Sequence, residues 1–115
     1  MSETNFRQEF CAILRGTFRV HMMENSIAPG MPDLLIIRSG KEPIWIELKV
    51  DRNRLRRTQR LWIRNHPEET VLVATLFEAN LWIFYQKELE VWEEIYKAQW
   101  LSISEQEVTK LITEQ

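Results

Sequence analysis

The run Ile44-Trp45-Ile46-Glu47-Leu48-Lys49-Val50 sets a carboxylate and an ammonium in the middle of an apolar segment. Alternate residues of a strand share a face, which puts Ile44, Ile46, Leu48 and Val50 on one side and Trp45, Glu47 and Lys49 on the other. Charges placed in such a surface are costly unless they are paired or bind a metal. A plain Glu–Lys ion pair would satisfy that condition by itself. Asp33 adds a second acid: it opens the preceding apolar run, Leu34-Leu35-Ile36-Ile37, with thirteen residues between it and Glu47. A hairpin of the two runs would bring the acids together, and clustered carboxylates repel unless a cation joins them. Such oxygen donors suit Mg²⁺ or Mn²⁺, which accept one or two carboxylates and leave room for water and phosphate. The backbone carbonyl of Leu48 would supply another oxygen from the same strand. Lys49 would hold and aim a water at phosphorus while the cation offsets phosphate charge. The chemistry expected of this set is hydrolysis of a phosphodiester.

The charge distribution agrees with a polyanionic substrate. The net charge of the 115 residues is −2, but Lys49 to Arg64 contains seven basic residues (Lys49, Arg52, Arg54, Arg56, Arg57, Arg60 and Arg64) against one acid, Asp51. That segment carries +6 and leaves −8 for the remainder, a polarised surface able to attract phosphates. Arg52, Arg54, Arg56, Arg57 and Arg60 are the expected contacts to a nucleic-acid backbone, with affinity that falls as salt rises. No base-reading motif such as a zinc finger is present, so shape or structure is expected to be recognised rather than sequence.

The elements that must position these residues are read from periodicity. Asn5 to Leu14 is a helix, with Phe6, Phe10, Ile13 and Leu14 at three- and four-residue spacing and Ser2 or Thr4 as the cap. Phe18 to Met22 is a strand, Asn25 to Pro32 a loop rich in proline and glycine, Asp33 to Arg38 a buried strand, and Ile44 to Val50 its hairpin partner. Arg52 to Arg64 is a basic helix with Leu55, Leu61 and Trp62 inward, ended by His66-Pro67. Val71 to Phe77 and Leu81 to Tyr85 are strands. Glu88 to Trp100 reads as an amphipathic helix, and Ser102 or Ser104 caps a last helix to Ile112. This order indicates an α/β domain over residues 1–115, a mixed sheet flanked by helices.

The string Gly30-Met31-Pro32-Asp33-Leu34, then Ile44-Trp45-Ile46-Glu47-Leu48-Lys49, then Gln59 resembles the VRR-NUC branch of the PD-(D/E)XK nuclease superfamily, over roughly Glu9 to Trp62. The resemblance implies a restriction-endonuclease-like fold, with Asp33 and Glu47 as metal-ligating acids, Lys49 as the catalytic lysine, and Gln59 as the polar residue at a helix start. It also implies a further metal-site glutamate from the first helix. Glu9 is the candidate there; Glu3 is a weaker one, and Glu24 is its rival from the loop. Stand-alone members of phage and bacterial type imply a homodimeric, metal-dependent endonuclease acting on branched DNA such as four-way (Holliday) junctions. Val91, Trp92, Ile95, Tyr96 and Trp100 are candidates for the dimer surface. The same residues serve equally well as a cover for the sheet.

Composition bounds the remainder. With 44% hydrophobic and 28% charged residues, five Trp and five Phe, the chain has material for one core. Lone Cys11, among apolar neighbours, reads as a core thiol. No apolar run approaches membrane-spanning length and the N-terminus has no signal-like core, so the expectation is a cytoplasmic protein of a bacterial or phage-infected cell with no membrane partner and no organic cofactor. A second functional class is a catalytically silent DNA-binding or assembly module that retains the fold. A third is an α/β domain in which Glu47 and Lys49 form only an ion pair.

Overall fold

A computed structural model describes residues 1–23, 28–51, 53–88 and 91–115. Among them, helices α1 (Glu3–Arg15), α2 (Arg57–Asn65) and α3 (Glu105–Glu114) flank strands β1 (Arg19–Met22), β2 (Leu34–Ile37), β3 (Ile44–Val50), β4 (Thr70–Phe77), β5 (Asn80–Glu88) and β6 (Val91–Gln99). The strands form one sheet in the order β1-β2-β3-β4-β5-β6. All neighbours are antiparallel except β3 and β4, which run parallel and are joined through α2. The expected mixed sheet with flanking helices is therefore the fold observed.

Parallel central strands are covered on both faces, and β3 is buried along its whole length. Ile44, Ile46, Leu48 and Val50 join Leu34, Ile36, Leu72, Ala74, Leu81 and Ile83 on one side, beneath Phe6, Phe10 and Leu14 of α1 and Val108 and Ile112 of α3. Trp45 lies on the other side with Trp62 and Ile63 of α2 and with Val71. The Trp45 and Trp62 rings meet edge to face with centroids 5.0 Å apart, a favourable aromatic geometry. Both side-chain sets of β3 thus fall where alternation places them. Ser2 caps α1 by accepting the Asn5 N–H, and Ser104 caps α3 by accepting that of Glu107. Buried Arg38 donates to the Ile112 carbonyl at the far end of α3, fastening that helix to β2.

Three expectations are corrected. The segment Glu88–Trp100 is not a helix: β5 extends to Glu88 and Val91–Gln99 is strand β6, with Leu89 and Glu90 outside the described residues. A bulge explains the misleading period. Ile83 pairs with Tyr96 and Phe84 with Glu94, so Ile95 is an extra residue in β6. Ile95 and Tyr96 then pack against the same core, while Trp92 packs against the other. The resulting spacing of three and four imitates a helix in a segment whose valine, isoleucine and aromatics favour a strand. The proposed dimer helix therefore does not exist; four of its residues, Val91, Trp92, Ile95 and Tyr96, lie on the outer strand β6, and Trp100 follows it in a short 3-10 turn.

The basic helix begins later than expected, at Arg57, with Arg56 as its N-cap. Arg54 and Leu55 precede it outside any helix or strand, and Arg52 lies outside the described residues. Finally, Leu61 does not face inward but is 40% exposed. Trp62 and Ile63 occupy the inward positions instead.

Candidate active site

The site is built where β2 begins. Leu34 pairs with Ile46, and the same register would set Pro32 opposite Leu48. Proline has no N–H to give a neighbouring strand, so the ladder ends there and a side chain takes its place. Asp33 Oδ2 accepts the Leu48 N–H at 2.9 Å, while the Asp33 N–H donates to Glu47 Oε1 at 3.2 Å. These two bonds hold the acids together. In an extended strand the N–H and C=O of one residue leave on the same edge, so the Leu48 carbonyl also leaves β3 on the side of Asp33.

Glu47 is 3% exposed, Lys49 7%, Asp33 9% and Gln59 4%. Lys49 Nζ lies 3.5 Å from Glu47 Oε2. Gln59 Nε2 donates to the same Oε2, and Gln59 Oε1 accepts the Arg56 N–H at 2.7 Å. The amide thus completes the reciprocal half of a capping box at the start of α2 while it grips the acid. Arg7 of α1 approaches from the other side, its Nη2 3.2 Å from Asp33 Oδ1.

Burial, first, and then the Asp33 carboxylate push Glu47 up to about 8, against the opposing pull of Lys49. Ionising Glu47 in this buried setting is therefore costly, a cost that a bound divalent cation would offset. Among the described residues no three His, Cys, Asp or Glu side chains gather to hold a metal. The oxygens available here, two carboxylates and the Leu48 carbonyl, would fit Mg²⁺ or Mn²⁺ and suit softer metals poorly.

Asp33, Glu47, Lys49 and Gln59 line one open pocket of about 420 Å³ together with Glu3, Arg7, Asn53, Arg54 and Arg56. Glu9 is not there. It is exposed, and its Oε2 accepts from the Trp100 indole at 3.2 Å. Six residues along a helix turn Glu9 about 120° from Glu3, onto the flank facing Trp100. Glu3 and Arg7, one turn apart, share the flank that faces the acids, and that spacing was the signal available for them. Asn53 had none. Glu24 lies outside the described residues. Of the basic run, Arg54 and Arg56 reach this pocket, Arg54 and Arg60 line a neighbouring cleft, and Arg57 and Arg64 are exposed and line neither.

The loop ahead of Asp33 supports α2 directly. Gly30 adopts φ +81, and a Cβ there would stand 2.0 Å from the Thr58 carbonyl oxygen and 2.8 Å from the Gln59 nitrogen. Glycine alone permits this approach, which is how the loop carrying Asp33 and the helix carrying Gln59 are set against each other.

Comparison with curated proteins finds no match. The model of the VRR-NUC domain matches residues 7–76, which span α1 to β4 and hold Arg7, Asp33, Glu47, Lys49 and Gln59. By that match over more than half of its length, the chain belongs to the VRR-NUC family, nucleases of the PD-(D/E)XK fold.

Proposed function

We propose that this protein is a divalent-metal-dependent endonuclease that hydrolyses phosphodiester bonds in branched DNA, four-way junctions included. The observation that carries the reading is the convergence of Asp33 and Glu47 in one open pocket with Lys49 beside them. Asp33, Glu47 and the Leu48 carbonyl would hold Mg²⁺ or Mn²⁺, which supplies charge neutralisation on the phosphate and a more acidic attacking water.

The residues divide the remaining work. Lys49, beside Glu47, holds the water in line with the phosphorus and donates to a non-bridging phosphate oxygen as negative charge grows. Gln59 keeps the Glu47 carboxylate in one orientation. Arg54 and Arg56, with Arg7 deeper in the pocket, attract and seat the phosphate backbone. The water oxygen bonds to phosphorus and its proton passes to solvent, the bond to one ester oxygen breaks, and that oxygen leaves after taking a proton from solvent.

We read the branch preference from the basic run Lys49–Arg64, suited to phosphates, and from a sequence that carries no zinc finger or similar base-reading motif. For paired cuts we propose a homodimer, one strand per subunit; light scattering that finds a monomer at working concentration removes this assembly. Among the described residues, no helix is long and apolar enough to cross a membrane.

The test is cleavage of nicked, flapped, linear and four-way DNA with Mg²⁺ or Mn²⁺. Asp33→Asn, Glu47→Gln and Lys49→Ala are each expected to lower cleavage by roughly a hundredfold or more while the protein stays folded. Full activity in any of them, or activity undiminished by EDTA, refutes the assignment. A folded protein that binds such DNA but never cuts it would instead be a silent binding module.

A further inference from the structure

A second concavity lies against the acid pocket. It encloses about 560 Å³ and shares Lys49, Asn53 and Arg54 with that pocket. Its character is different. Leu55, Ile63 and Val73 make it mostly apolar, Phe84 and Trp92 present half-buried rings, and Gln86 adds an amide. Glu47, Val73 and Phe84 are register partners across β3, β4 and β5. Two strand spacings therefore separate the Phe84 position from that of Glu47, about 10 Å. Trp92 stands directly across from Gln86 on β6.

We propose that this cleft receives an unpaired nucleobase of the substrate strand, next to the phosphate held at the acids; this rests on the nuclease reading above. Aromatic floors stack bases without regard to sequence, because every base has a π-face. The exposed cations Arg54 and Arg60 and the buried Lys49, all lining the cleft, meet the backbone that leads the base in. The amides of Asn53 and Gln86 can each donate and accept at a base edge. A base inside a duplex cannot reach such a floor, and extruding it costs least where it is already unpaired, as at a branch or flap. The cleft thus converts the local structure of the DNA into affinity beside the bond to be cut, and it gives branch selectivity a physical basis in residues distant from the metal donors.

The experiment measures binding of the full chain in EDTA by fluorescence anisotropy, at one salt concentration. Three labelled duplexes are compared: fully paired, carrying one unpaired nucleotide, and carrying an abasic residue at that unpaired position. The unpaired nucleotide is expected to bind roughly tenfold more tightly than its abasic counterpart. Phe84→Leu and Trp92→Leu retain apolar bulk and are expected to erase that difference while leaving affinity for the paired duplex unchanged. Equal affinity for the base-bearing and abasic duplexes overturns the proposal, and this arm needs no variant to fold. Leucine variants that weaken all three duplexes alike also overturn it. Cleavage with Mg²⁺ or Mn²⁺ is scored separately. Base discrimination without cleavage would sink the nuclease reading and spare the cleft, and cleavage without discrimination would do the reverse.

Discussion

Gln59 and Glu47 are joined by a hydrogen bond that also fixes the start of a helix: the Gln59 nitrogen donates to Glu47 Oε2 while its oxygen accepts the Arg56 N–H at 2.7 Å. An amide can serve both sites because it carries a donor and an acceptor at once. Gln59→Ala removes the cap and leaves a buried carboxylate short of a partner, so a loss of about 1–2 kcal/mol in urea unfolding is expected. Gln59→Glu keeps the acceptor but turns the donor into a second negative charge against Glu47. Its cleavage rate is expected to fall below that of Gln59→Ala, and a Glu variant that cuts as fast as wild type would show that the amide does not orient the acid.

Gly30 transmits the geometry of the Asp33 loop to α2. Because a Cβ would stand 2.0 Å from the Thr58 carbonyl oxygen at φ +81, Gly30→Ala must push the first turn of α2 outward. The expected cost is about 2–4 kcal/mol, from strain at a left-handed position together with the backbone clash. Cleavage should fall with stability, since Gln59 rides on that turn. Gly40→Ala is the control: it also has a positive φ, 70, but a Cβ there meets nothing within 4 Å. It should cost less than Gly30→Ala and leave cleavage by the folded protein intact.

The pH dependence of stability follows from Glu47. Its carboxyl is raised from 4.5 to about 8, by burial first and then by Asp33. Between these values the unfolded chain has released a proton that the native state keeps, so this group makes stability fall as pH rises through the window. Below about pH 4.5 its contribution is fully present; above about pH 8 it is lost. Thermal melting from pH 5 to 9 without metal should show this slope, and Glu47→Gln should flatten it. Mg²⁺ or Mn²⁺ should raise the melting temperature most at the alkaline end, where the cation no longer competes with the proton. Equal stabilisation at pH 5 and pH 9 would contradict a site built on Glu47.

Much of the site could be read without coordinates because its residues are close in sequence or tied to strand periodicity. A period of two on Ile44–Val50 separates the core residues from Trp45, Glu47 and Lys49, and a short hairpin leaves Asp33 little choice of neighbour. Helix placement is harder to read. Glu9 is the candidate by sequence because it lies beside the Phe6/Ile13 face, yet the angular position of a helix residue depends on how the apolar stripe of Phe6, Phe10 and Leu14 sits on the sheet. The outer strand β6 is hard to read for a related reason: the bulge at Ile95 superimposes a helix-like spacing on a strand whose partner is β5.

What the amino-acid order decided alone was the chemistry and its local frame: two acids, a lysine, a glutamine at a helix start, and a proline where a ladder must end. These depend on residue type and on elements that follow one another closely in the chain, with hydrogen bonds spanning three to fifteen residues. Tertiary structure decided which long-range neighbours complete them. It sent Arg7 rather than Glu9 to Asp33, set Gly30 against the backbone of α2, and brought Phe84 and Trp92 beside Lys49. Those pairings are set by sheet register and by the docking of whole helices, where many weak contacts act together and no short stretch of sequence holds the answer.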